Sequence, residues 1–438
     1  MKQQGIGWHW VCAVAFVWVA GQAALLGAEQ AKTQSPVERK GVLAALPSSP
    51  GPHMQKIMAL GDGEWVNLGK PAPDPKWGQG RGRSWSHKMA YAPELQGAFL
   101  AGAGPHAYIK PDGHYDDIFF YDLNAHKWIC IFEGVNTKTF GEDCKNGLLK
   151  VNDDGQLVNK DGDVVPLGAR SHSGQTHTYD TDSHKWIYNG CAPGGIDPDW
   201  WSAKKEWYLA GAKHLTAQGK PDKVLNQPLY FNTITGKFER PAGKKPPRGS
   251  GAGRGEATFY LPTKKAIWAY SSDAGMLIGN AATGEWTVTK KPKGAPKGGD
   301  YGACYDSKRH RIYLSTGGPL AANEGNVYIY DVATDTWSNP PNKENALPLP
   351  PSNAGVLNYD SVADRVVIFR AAEYVAAWDP DSHAWTPKIP MPSKFPEVGY
   401  PSYHGFYSPE ANAHFIYAAC DGADNGAMWV YRFKRATK

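Results

Sequence analysis

Six times along the chain an apolar strand ends in an aromatic residue, turns tightly and continues as a second apolar strand. The copies begin at Tyr91 (AYAPELQGAFL), Tyr179 (YDTDSHKWIY), Tyr260 (FYLPTKKAIWAY), Tyr305 (YDSKRHRIYL), Tyr359 (YDSVADRVVIF) and Tyr407 (FYSPEANAHFIY). A second phrase of similar build follows each copy: FFYDLNAHKW (Phe119 to Trp128), NVYIYDVATDTW (Asn326 to Trp337) and AAWDPDSHAW (Ala376 to Trp385), with worn versions YFNTITGKF and IGNAATGEW. Val, Ile, Tyr, Phe and Trp fill the runs, and Asp, Asn, Gly, Pro and Ser break them, which is strand and turn chemistry. Each unit thus supplies four short strands, with no helical periodicity between units. Four-stranded units in series predict an all-β fold, a six-bladed β-propeller.

The sixth unit stops early, at MWVYRFK (Met428 to Lys434), and lacks its fourth strand. The missing phrase lies at the other end of the chain. GEWVNLG, Gly63 to Gly69, has the Trp and the polar flanks of an outer strand. Pairing Glu64 to Leu68 with the last unit closes the ring and leaves no open sheet edge. The propeller is expected over residues 61–438.

The Tyr-Asp-then-Trp spacing, the Arg83…His87 entry to the first unit and Gly317-Gly318 after a second strand resemble kelch repeats of the galactose-oxidase-like superfamily. The resemblance covers about Gly61 to Lys434. It implies the propeller and leaves the activity open, because that superfamily holds binding scaffolds, sugar epimerases and copper-radical oxidases.

The N-terminal 28 residues read as a secretion signal: Lys2, an apolar run from Val11 to Leu26, then Leu26-Gly27-Ala28 before Glu29. Residues 29–60 read as a linker. A secreted or periplasmic protein is expected, without stable membrane insertion after cleavage, since no later apolar run is long enough to span. Of six cysteines, Cys130, Cys144, Cys191, Cys304 and Cys420 lie beyond the signal, an odd number with no CxxC pair. A net charge of +5 over 438 residues does not argue for nucleic acid. No GxSxG elbow, HExxH helix or phosphate loop occurs, and no cofactor is expected. The acidic stretch 152–163 lacks the calcium-loop pattern and reads as a hairpin with Asp-Gly turns.

Antiparallel order puts the first-to-second and third-to-fourth connections on one face, where all are trimmed. The other face carries every long insertion: 104–116, 134–170 and 190–227. Long loops on one rim of a rigid ring are where binding usually sits. Cys144 and Cys191 fall in two of them, and a disulfide there is expected to brace the rim. The basic crossings Arg240 to Arg254 and Lys290 to Lys297 share this face and suit an anionic ligand such as an acidic glycan.

Candidate chemistry clusters at the entries to the inner strands. His87, Tyr301, Tyr403 and His404 are candidates for acid–base work, with Arg83, Arg170, Arg254 and Glu256 beside them for binding a carboxylate or polar group. The insertions add His106, His114, Trp200 and Trp201, the tryptophans suited to stack on sugar rings. Two main readings follow: a propeller that binds a glycan or protein partner on the elaborated face, or a carbohydrate-active epimerase or lyase on an acidic sugar. Convergence of His87, Tyr301, Tyr403 and an arginine on one pocket would favour the enzyme, and burial between blades would count against it. A copper-radical oxidase is the weakest alternative, since no motif pairs its histidine ligands and such oxidases have seven blades.

Overall fold

A computed structural model describes residues 38–436 except 84–85, 102–111, 116, 154–155, 168–175, 190–204, 216–227, 240–256, 272–274, 290–292, 297–300, 317–326, 342–354, 371–372, 397–402 and 421–422. The proposed signal lies outside the described residues. Six four-stranded antiparallel sheets form the blades. Their first strands are Ala90–Ala92, His177–Asp180, Ala257–Leu261, Tyr301–Asp306, Val356–Asp360 and Tyr403–Ser408. Each first strand touches the next, and the sixth touches the first, so the six-bladed ring is closed around an axis. No described helix is long and apolar enough to cross a membrane.

The repeated phrases build the hairpins through one local device. Five residues after each of the six tyrosines stands a residue in the left-handed region: Gln96, His184, Lys265, His310, Asp364 and Asn412, at φ 46° to 55°. That region costs an L-residue roughly 1–2 kcal/mol, less for Asn, Asp and His, whose short polar groups bond locally. Three of them bond back to the tyrosine, while His184 and Tyr179 both bond Glu94. Tyr305 and His310 Nδ1 lie 2.8 Å apart, Tyr359 donates to Asp364 Oδ1 at 2.8 Å, and Tyr407 donates to Asn412 Oδ1 at 3.0 Å. The outer hairpins repeat it: Tyr121 pairs with His126, and Tyr330 donates to Asp335. The aspartate after the tyrosine takes up the turn. Asp306 Oδ1 accepts from the Lys308 and Arg309 amides at 2.8 and 3.0 Å. Asp331 Oδ1 does the same for Ala333 and Thr334, at 3.1 and 3.0 Å.

Glu64–Gly69 pairs antiparallel with Ala427–Arg432 as the outer strand of the sixth blade, as the early stop of that unit requires. Its Trp65 packs on Tyr431 at 4.7 Å between ring centres and reaches Phe395 and Phe369 at 5.7 and 5.8 Å, so the strand also touches the fifth blade. Residues 39–60 depart from the linker expectation. Leu43 and Ile57 are fully buried, the latter in helix α1, His53–Ala59. Arg432, itself buried, donates to the carbonyls of Leu60 at 2.6 Å, Met58 at 3.1 Å and Ala411 at 2.9 Å, tying α1 to the closing blade. The physical reason is composition: Leu43, Leu46, Ile57 and Leu60 are apolar groups that an extended tether would leave in water.

Trp65→Ala should lower the unfolding free energy by about 2–4 kcal/mol, as for other large-to-small changes at aromatic clusters. Val362→Ala, at a site 39% exposed, should stay within about 0.5 kcal/mol. Urea denaturation of both variants checks the contrast, and equal midpoints would show that the closing strand contributes little.

Candidate functional site

Three of the sequence-predicted residues come together at the seam between the sixth and first blades. Arg83 and Asp117 form an ion pair with both side chains almost fully buried. The Arg83 amide donates to His404 Nε2 at 3.0 Å, and His404 Nδ1 bonds the Ser86 carbonyl. Those two bonds require the neutral Nδ1–H tautomer, so both ring nitrogens of His404 are engaged. Burial pushes its pKa down to about 3, with His87, Arg83 and His177 opposing the charged form too. His87 is 1% exposed and bonds the Tyr403 carbonyl, yet burial holds its pKa near 4. A third buried histidine, His177, bonds the Lys88 carbonyl at 2.7 Å and accepts from Trp186 Nε1 at 3.1 Å. The histidines satisfy backbone and indole groups where blades meet, which buried polar groups demand.

Tyr403 does not join them. Strand alternation turns it to the other side of its strand, where it donates to the Pro396 carbonyl at 2.8 Å and stacks on Phe395 at 5.5 Å. Tyr301 begins the fourth blade's first strand, but its side chain is not among those described. His114 sits in an insertion, 5.2 Å from the Trp77 ring and 3.2 Å from Asp112. Arg170, Arg254, Glu256, His106, Trp200 and Trp201 lie outside the described residues, as do the basic crossings apart from Lys293. Arg83, His87 and His404 therefore meet in a buried contact between blades, and none of them lines a described cavity.

The buried histidines set a pH dependence. Their folded pKa values, about 4 and about 3, lie below the ordinary 6.5, so the unfolded chain takes up protons first as pH falls. Stability should be full above about pH 6.5 and decline toward pH 4, by up to about 1.4 kcal/mol per pH unit for each histidine. Urea unfolding at pH 7.5 and pH 5 measures this. An unchanged free energy would show that the histidines do not remain neutral in the fold.

The three insertions fold together. His114–Tyr115, from the first, pairs with Val135–Asn136, from the second. Helix α2, Phe140–Lys145, packs on helix α3, Lys205–Leu215, from the third. The Phe140 ring meets Trp207 edge-on at 5.1 Å, and a Cβ on Gly211 would stand 2.4 Å from that ring, so only glycine permits the approach. Phe140, Cys144, Val151, Leu157, Leu167 and Leu215 make a core of their own, which Phe132 of the first blade joins to the ring. The acidic stretch is the expected hairpin, Leu149–Val151 with Leu157–Asn159, and Lys237 Nζ ties it to the second blade through Asp163 at 2.6 Å. A groove of about 360 Å³ opens on this module, between apolar Phe132, Phe140 and Leu148 and polar Asn136, Lys160 and Asp161.

Among the described residues the Cys144 thiol joins no other cysteine, and Cys191 lies outside them. The expected Cys144–Cys191 disulfide therefore involves a residue outside the described ones; the Cys144 sulfur lies close to Gly211, where an added Cβ would stand 3.0 Å from it. Burial pushes this thiol up to about 12, the neighbouring Asp143 adding to it. Iodoacetamide at pH 8 should spare Cys144 in the native protein and modify it in denaturant without reductant. Resistance in denaturant would show that the thiol is bridged.

A second cavity, of about 340 Å³, lies on the ring axis at the end opposite the insertions. All six first strands line it, with the six tyrosines at its mouth. Lys88 is the residue that sequence reasoning missed. From the first blade it reaches past the second to the third, donating to the Thr258 carbonyl at 2.8 Å with Nζ 3.9 Å from the Phe259 ring centre. Burial pushes its pKa down to about 7, with the Cys304 thiol opposing that shift. Nothing distinguishes Lys88 in the sequence from a surface lysine, save its place two residues before an inner strand.

No family model and no curated protein matches the chain. Among solved structures it is similar to an auxiliary nutrient binding protein from Bacteroides thetaiotaomicron, at 9% identity and a TM-score of 0.45, over 84% of this chain and 76% of that one. At that distance the likeness carries no functional weight.

Proposed function

We propose that the chain is a secreted, kelch-like binding propeller that holds a glycan on the module formed by its three insertions. One observation carries the reading. The first insertion joins the second in one ladder, and the second joins the third, far apart in sequence, in one helix pair and one hydrophobic core. Loops that had merely drifted in length would not share a core. The groove on this module pairs flat apolar surface with Asn, Asp and Lys side chains, which suits the apolar faces and hydroxyl edges of sugars. The burial of His87 and His404 at a seam, with His404 engaged at both nitrogens, counts against these two as bases of an epimerase or lyase.

A glycan array on the mature protein tests this. Leu148→Arg and Lys160→Glu, at exposed positions on the groove, should each weaken the best glycan at least tenfold, about 1.4 kcal/mol, without moving the melting temperature. Binding equal to wild type in both variants, or no glycan bound at all, would overturn the proposal.

A further inference from the structure

The axial cavity is separate from the insertion module and at the other end of the ring. Lys88 occupies it in an unusual way for a lysine. Its side chain spans from the first blade to the third, with Nζ above the Phe259 ring and one N–H on the Thr258 carbonyl. Among the described residues no carboxylate pairs with it, and none lines the cavity. A carbonyl and a ring face leave the other amine hydrogens for a further acceptor. Beyond the Thr258 carbonyl and the Phe259 ring, the six inner strands and the Cys304 thiol surround it, so the half-buried amine is less screened than one on the open surface. One cation balances one charge there. A phosphate dianion would be left half uncompensated in a largely apolar enclosure, whereas a monoanion would not. The volume, about 340 Å³, lies at the small end of ligand sites.

We propose that this cavity binds a small monocarboxylate with an apolar or aromatic body, its head group on Lys88 Nζ and its body beside Phe259. Entry is from the trimmed-hairpin end, through the ring of tyrosines. Several of those hydroxyls are committed to neighbouring side chains: Tyr91 to Glu410 at 2.6 Å, Tyr359 to Asp364 and Tyr407 to Asn412. The mouth is therefore held by the hairpins, and the charge selectivity falls to Lys88. A bound carboxylate would also favour the protonated amine, which burial alone disfavours.

The test uses benzoate, phenylacetate and cyclohexanecarboxylate, with benzamide as the neutral counterpart, on the full mature chain. At least one carboxylate should raise the melting temperature in a concentration-dependent way while benzamide does not. Lys88→Met, which keeps the length and removes the charge, should weaken that carboxylate at least tenfold. In the wild-type protein the same carboxylate should slow acetylation of Lys88 by an N-hydroxysuccinimide ester, read by peptide mass, which does not depend on the variant folding. Leu148→Arg, on the insertion groove, should bind the carboxylate normally, so failure of the glycan reading leaves this one standing. Binding of benzamide as strong as benzoate, undiminished binding to Lys88→Met, unprotected Lys88, or no carboxylate bound would each overturn the proposal.

Discussion

The open edge of the last blade is the constraint on which the ring depends. Three strands from the C-terminal end leave a row of unpaired amides and carbonyls, and an exposed edge of that kind pairs with whatever strand it meets. Glu64–Gly69 fills it, so the first of the described strands completes the last blade. That single pairing makes the segment before the first blade structural. Trp65 spans the seam to the fifth blade, and Arg432 reaches back to the carbonyls around α1. Residues 39–60 are then held against the ring by their own buried leucines and isoleucine.

Closure brings a second requirement. Where inner strands of neighbouring blades meet, polar groups are shut away from water and must be satisfied. Arg83 with Asp117, His404 with Ser86 and the Arg83 amide, and His177 with Lys88 and Trp186 answer that need in turn. Residues that suggest acid–base chemistry when read in a line are thus consumed by architecture. The fourth and fifth blades show the charged version of the same joint. Arg309 of one binds Asp364 and Asp381 of the other, and holds the Asp364 carboxyl well below its usual range.

Much of the fold was legible. The tyrosine, its aspartate and the polar residue five places on form a local unit, so their spacing shows the hairpin directly. The acidic stretch 152–163 was legible for the same reason, its alternation and Asp-Gly turns being local. The candidate site was legible only in part. The insertions were visible as interruptions of the repeat, but their mutual packing was not, because Phe140 against Trp207 and Gly211 joins residues some seventy positions apart. Tyr403 and His404 are adjacent in sequence and point to opposite sides, which separates a pair that a linear reading places together.

The sequence by itself determined the number of blades, their hairpins and the end-to-end closure, because each rests on contacts within a few residues or on a missing strand that one segment can supply. Only the tertiary structure decided which ionisable groups are structural and which face a cavity. Burial is a property of six strands converging on one axis, and no single strand carries its signature. Lys88 and His87 stand side by side in the chain. One reaches past the second blade to the third with an amine near neutrality, and the other is sealed in a seam as a neutral ring.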